Sequence, residues 1–303
     1  MIAIGDRAAI AILMAMFADP NPQSRDGFVA LRARVDRTLD GFLASVREEM
    51  AAVVPDATLP IDEVIRLIAT GGKRLRPTFC YWGFRAAGGS DGEPIERAAA
   101  ALELLHTMAL IHDDLMDRSP LRRGAPASAS QLTERARLRG SSDPERAGAS
   151  LALLSGDLAA VLADRLLLSS GFGPGPLVAG LERYHRMRTD MALGQCLDVA
   201  GIDADPAVVA RLKGGSYTVD GPLLIGAALA EGASEVTEAL SAYGIPLGLA
   251  FQLLDDERDG EAVLEAGRVE SLITHAREAL DAPGLDREAV RALVALADLV
   301  ASG

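Results

Sequence analysis

Apolar residues return along most of this chain at three- and four-residue steps, the period of helices buried on one face. Phe28, Leu31, Val35, Leu39, Phe42 and Val46 form one such stripe. They predict a long amphipathic helix over 28–50, ended by Pro55 and Pro60. A second helix is predicted over 59–69 and a third over 78–87, the latter opened by Pro77, whose fixed φ suits a first helical turn. Leu104, Leu105, Met108, Ile111 and Leu115 carry the next stripe, which runs into Asp113-Asp114-Leu115-Met116-Asp117. Residues 124–147 are polar, rich in Ala, Ser, Arg and Gly, and show no clean period, so they are predicted to be a loop. Helical pattern resumes over 149–168, 181–199 and 245–260, and residues 206–230 read as helix interrupted by Gly214, Gly215 and Gly221. No fixed repeat emerges, and no linker divides the chain.

Composition agrees with helices. The chain has 303 residues, 49% hydrophobic but only 4% aromatic, with Ala and Leu abundant and β-branched runs scarce. That is enough to bury a large core. The net charge of −13, with no basic cluster, argues against nucleic acid and against an anionic membrane surface. Cys80 and Cys196 are too few for a disulfide framework or a zinc site, so a reducing, cytoplasmic setting is expected. Residues 8–17 are apolar but too short to span a bilayer, and no stable membrane insertion is expected. Residues 1–25 are read as an N-terminal segment, packed or flexible.

Candidate chemistry begins at the aspartates. Asp113 and Asp117 lie one helical turn apart, about 5–6 Å between Cβ atoms, with Asp114 beside them. Like charges that close repel, and the negative end of the helix dipole adds to the cost unless a cation sits there. Oxygen ligands suit magnesium, which takes one or two carboxylates and fills its shell with water and phosphate oxygens. Arg122 and Arg123 follow, supplying donors for a diphosphate. Gly71-Gly72-Lys73-Arg74-Leu75-Arg76-Pro77 reads equally as a plain basic connection or as a second anion site before a helix N-terminus. Asp255-Asp256-Glu257-Arg258-Asp259 then repeats the aspartate pattern after another apolar helix. Facing helices of a bundle can bring such carboxylates together across a central cavity.

With these motifs in this order the chain resembles the trans-polyprenyl (isoprenyl) diphosphate synthases, from about Leu67 to Asp259 and more loosely beyond. The resemblance implies an all-α fold, a single-domain bundle of long helices around a central active-site cavity spanning 1–303. It also implies a magnesium-dependent transfer of an allylic prenyl group to isopentenyl diphosphate, by a homodimer. Lys73, Arg76, His106 and Arg123 would hold isopentenyl diphosphate. Asp113, Asp114, Asp117, Asp255, Asp256 and Asp259 would bind Mg2+, with Arg122, Lys213 and Gln252 on the allylic diphosphate. Gly194-Gln195 with Asp198 also match the family's second half. His106, one turn from Leu102 and Leu110, has a competing reading as a core histidine. Leu105, Met108 and Ala109 would form the floor that sets product length. No aromatic residue stands there, which points to geranylgeranyl (C20) or longer.

Two departures stand out. Gly214 follows Lys213 where the family has Thr, and a loop bearing a Gly-Lys pair is absent after Asp256. We expect the numbering to close over such a loop between 256 and 265, seen as a Cα step longer than about 3.80 Å. A continuous backbone would instead mean a genuine shortening and favour a catalytically silent regulatory subunit. A class I terpene cyclase is a further alternative, although cyclases carry Asn, Ser and Glu ligands where this chain has Asp255 and Asp256.

Overall fold

The computed structural model describes residues 22–122, 124–205, 208, 209, 211–259 and 265–301, and among these it is helical almost throughout. The elements are α1 (Pro22–Val53), α2 (Leu59–Ala69), α3 (Leu75–Ala86), α4 (Glu93–Met116), β1 (Leu121–Arg122), β2 (Ala125–Pro126), α5 (Ser128–Leu138), α6 (Pro144–Leu168) and α7 (Pro174–Val199). A π-helical segment, Arg211–Asp220, leads into α8 (Gly221–Leu229), followed by α9 (Ser234–Asp259), α10 (Arg268–Ala279) and α11 (Arg287–Ala301). The apolar stretch 8–17 lies outside the described residues. The chain packs as two compact units.

The first unit comprises Arg34–Lys73 and Ala100–Ser169. Its centre is Leu67 of α2, Ile111 of α4, Leu132 of α5 and Ala152 of α6, flanked by Leu110, Leu115, Ala129 and Leu151. On α1 the buried stripe is Val35, Leu39, Leu43 and Val46. Leu43 takes the place expected for Phe42, which is half-buried beneath the Arg165 guanidinium, 5.8 Å from its ring centre. Helix α5 corrects the loop expected over 124–147. Its buried face is Ser128, Leu132 and Ala136, a regular four-residue period carried by residues too small or polar to register as an apolar stripe. The following helix also starts earlier than expected, at Pro144, where Asp143 accepts the Arg146 N–H at 3.1 Å and caps the first turn.

The second unit comprises residues 22–33, Arg74–Ala99 and 170–301. Helix α3 opens at Leu75, earlier than the predicted Thr78, because the turn is made at Gly71 (φ 81°) and at Arg74 (φ 51°) rather than by Pro77. It is buried nearly all round and meets α8 backbone to backbone. A Cβ on Gly83 would lie 2.3 Å from the Leu223 carbonyl oxygen, and one on Gly226 2.0 Å from that of Cys80. Burial pushes the Cys80 thiol up to about 12, so it stays protonated and packs as a small apolar residue. Gly226→Ala is expected to destabilise the protein by at least roughly 1–3 kcal/mol, since neither backbone can yield like a side chain. Urea unfolding checks this, and an unchanged midpoint would refute the contact. Tyr243 of α9 donates to the Leu293 carbonyl of α11 at 2.7 Å, satisfying its hydroxyl inside the core.

Helix α9 is continuous from Ser234 to Asp259, so Asp255, Asp256 and Asp259 share one helix and no long step falls among them. The sequence itself runs from Asp256 to Glu265 without interruption, while residues 260–264 lie outside the described residues.

Candidate active site

Helix α4 ends on the aspartates. The Asp117 N–H donates to the Asp113 carbonyl and the Ser119 N–H to that of Asp114, both at 2.9 Å. Arg118 then takes a left-handed conformation, φ 52°, rare for a residue with a side chain, and turns the chain into the β1–β2 hairpin. Leu121 pairs with Pro126 and Arg122 with Ala125.

Successive helical residues point about 100° apart, so the three carboxylates meet different surroundings. Asp117 is exposed, the Asp113 side chain is 40% exposed, and Asp114 is buried at 2%. Both Nε and Nη2 of Arg122 donate to Asp114 Oδ1, at 2.9 and 2.6 Å, and Nη2 lies 3.8 Å from Asp113 Oδ2. Burial pulls the Arg122 pKa down. The hydrogen bond to Asp114 and the charges of Asp114, Asp113 and Asp117 outweigh it, so the guanidinium is held even more firmly charged than usual. Asp114 Oδ2 is buried with no hydrogen-bond partner. Thus the end of α4 offers two accessible carboxylates and a cation fixed beside them.

Among the described residues no three His, Cys, Asp or Glu side chains form a ready-made metal-binding group. Magnesium asks for less than that, since water and phosphate oxygens fill much of its shell. On the same helix His106 is half-buried, two turns before Asp113. Leu105 is fully buried, Met108 is 9% exposed and Ala109 is half-buried. The His112 ring lies against Gly156 of α6, where a Cβ would come within 2.2 Å of Nε2, so the glycine lets α4 and α6 approach beside the motif.

The basic loop separates its cations. Lys73 is exposed, whereas Arg76 donates from Nη2 to Thr218 Oγ1 at 2.8 Å and stacks 4.2 Å over the Tyr217 ring. Its Nε is buried without a hydrogen-bond partner. Thr218 and Tyr217 belong to the π segment that also carries Lys213 in its backbone, the kind of helix irregularity common at functional sites. The side chains of Lys213 and Asp259, and all of Arg123, lie outside what is described. On α9, Gln252 Nε2 donates to Asp256 Oδ1 at 2.5 Å, and Arg258 Nη1 stands 3.8 Å from Asp255 Oδ1, with Asp255 exposed. Sequence reasoning missed Glu63 and Arg66 of α2, a bidentate pair in the first unit, although their three-residue spacing was a signal for it.

In this largely helical chain a basic loop, an aspartate-ended helix with a paired arginine, and a second aspartate-ended helix follow in order. Residues 60–265 match polyprenyl synthetase, and the chain belongs to that family. It is 29% identical over 226 residues to a short chain isoprenyl diphosphate synthase of Methanothermobacter thermautotrophicus, covering 71% of this chain and 62% of that one. It is 33% identical over 198 residues to a geranylgeranyl diphosphate synthase of Methanosarcina mazei, covering 64% and 56%. The chain therefore spans about three fifths of the length of these curated relatives. Its fold is similar to that of a geranylgeranyl pyrophosphate synthase from Corynebacterium glutamicum solved with isoprenyl diphosphate and magnesium. That similarity has a TM-score of 0.78 at 26% identity, over 88% of this chain and 96% of that one.

Proposed function

We propose that the protein is a prenyltransferase that joins isopentenyl diphosphate to an allylic diphosphate, yielding a trans-polyprenyl diphosphate of C20 length or longer. The end of α4 carries this reading: Asp113 and Asp117 accessible on one turn, and Arg122 locked beside them by Asp114. The all-oxygen donor set and the unpartnered Asp114 Oδ2 fit Mg2+ and the oxygens around it. Asp113, Asp114 and Asp117, with Asp255, Asp256 and Asp259, would hold it. Bound magnesium would supply Lewis-acid neutralisation of the leaving diphosphate.

Arg122, Lys213 and Gln252 receive the allylic diphosphate, and their charges and dipoles stabilise the negative charge that grows as its C–O bond breaks. Lys73, Arg76, His106 and Arg123 orient isopentenyl diphosphate so that its double bond attacks the allylic cation. The proton then lost goes to the departing diphosphate. Aliphatic side chains such as Leu105 and Met108 keep water from the cation. The test is direct: purified protein with Mg2+, isopentenyl diphosphate and geranyl or farnesyl diphosphate should form a longer diphosphate.

A silent regulatory subunit is the second reading, favoured by the uninterrupted passage from Asp256 to Glu265, which leaves no room for the family's Gly-Lys loop. Absence of product together with retained binding of the substrates would select it.

Product length is set along α4. One helical turn is about 5.4 Å, close to one isoprene unit, so a plug moved by one turn changes the product by one unit. Met108→Phe is expected to shorten the product by at least one such unit, read by chromatography of the dephosphorylated prenols. An unchanged distribution would place the floor elsewhere. We also propose a homodimer. Leu154, Val161 and Leu168 are exposed at heptad spacing on α6, an apolar stripe on the solvent side of that helix, and light scattering tests the mass. No described helix is long and apolar enough to cross a membrane.

A further inference from the structure

Glu63 of α2 is 0% exposed, and both its oxygens are taken by Arg66. Arg66 Nε donates to Oε1 at 3.1 Å and to Oε2 at 3.0 Å, and Nη2 donates to Oε1 at 2.5 Å. Desolvation cancels much of the attraction in a buried pair, so the lasting effect of this one is geometric: the planar fork is held in a single orientation. In that orientation the same Nη2 reaches the Pro126 carbonyl at 3.4 Å. Pro126 lies on β2 opposite Leu121, the neighbour of Arg122. The hairpin is therefore gripped from two helices of one unit. Arg66 on α2 holds the β2 backbone, and Asp114 on α4 holds β1 through the Arg122 side chain. The hairpin's own hydrogen bonds, Ala127 N–H to the Pro120 carbonyl at 3.0 Å and Ser130 Oγ to the same oxygen at 3.1 Å, close its base.

We infer that Glu63 and Arg66 are positioning residues: the buried pair fixes the β1–β2 hairpin so that Arg122 is already placed for the allylic diphosphate. Nε and Nη2 of Arg66 are both used in this grip. This inference rests on the prenyltransferase reading for its ligand, but the bracing of the hairpin stands on geometry alone.

The test uses the full chain and two variants. Glu63→Gln with Arg66→Met removes both charges together, so no unpaired buried charge threatens folding. Arg66→Lys keeps the charge and loses the planar fork. Amide hydrogen exchange over 119–131, without ligand, should be about tenfold faster in the double variant, with the rest of the first unit unchanged. Binding of a non-hydrolysable allylic thiodiphosphate with Mg2+, by calorimetry, should weaken about tenfold. Arg66→Lys should fall between wild type and the double variant. Equal exchange at the hairpin overturns the inference, and so does loosening spread evenly over the unit or thiodiphosphate binding as tight as in the wild type. Failure of the wild-type chain to bind the thiodiphosphate would instead sink the functional reading, leaving the exchange result to decide the brace.

Discussion

Asp113→Ala should lose turnover by at least about a hundredfold while the fold survives, the combination expected of a carboxylate that acts on ligand rather than on packing. Its side chain is 40% exposed, at the negative end of the α4 dipole and one turn from Asp117. Removing it sets relief of that repulsion against the loss of the 3.8 Å contact with Arg122, so stability should move by no more than about 0.5 kcal/mol, the usual range for an exposed position. Initial rates with labelled isopentenyl diphosphate and a urea unfolding curve measure the two quantities separately. Unfolding of the variant would assign Asp113 a structural role, and full activity would remove it from the site.

Arg122→Ala should behave in the opposite way one residue along, through Asp114. Asp114 is 2% exposed and its hydrogen bonds to Arg122 are both on Oδ1, with Oδ2 already unpartnered. Truncating the arginine leaves a buried carboxylate without its counter-charge, a loss of roughly 3–5 kcal/mol. The unfolding midpoint should drop accordingly and turnover should fall with it. The double variant Arg122→Met, Asp114→Leu isolates the stability effect. It should recover most of the stability, since no buried charge is stranded, while activity stays lost, since both the Asp114 carboxylate and the cation beside it are gone. Recovery of activity would remove Arg122 and Asp114 from the site.

Adjacent aspartates with such different consequences show where reading residues along the chain succeeds and where it stops. The helix over 59–69 and the later turns of α4 were legible because most of their buried positions, Ile61, Val64, Leu67 and Ile68 in one and Leu104, Leu105 and Ile111 in the other, are large aliphatic residues at helical spacing. Helix α5 was not, because its buried face is Ser128, Leu132 and Ala136, and two of those are small enough to look like loop composition. The start of α3 was misplaced because Pro77 is a familiar first-turn residue. The backbone instead turned at Arg74, in a conformation that residue identity gave no reason to expect.

By itself the sequence determined the helical class, the order of the basic loop and the two aspartate clusters, and hence the family, since all of these depend on local period and on residue type at fixed spacing. Only the tertiary structure decided which aspartate is sealed against Arg122 and which two keep access to solvent. It alone showed that Arg76 leans on Tyr217 and Thr218, and that a buried Glu63–Arg66 pair reaches the hairpin. Those outcomes turn on partners up to 142 positions apart in the chain. A side chain's type limits what it can bond, but burial and the neighbour that folding delivers determine whether it binds ligand, pairs, or packs.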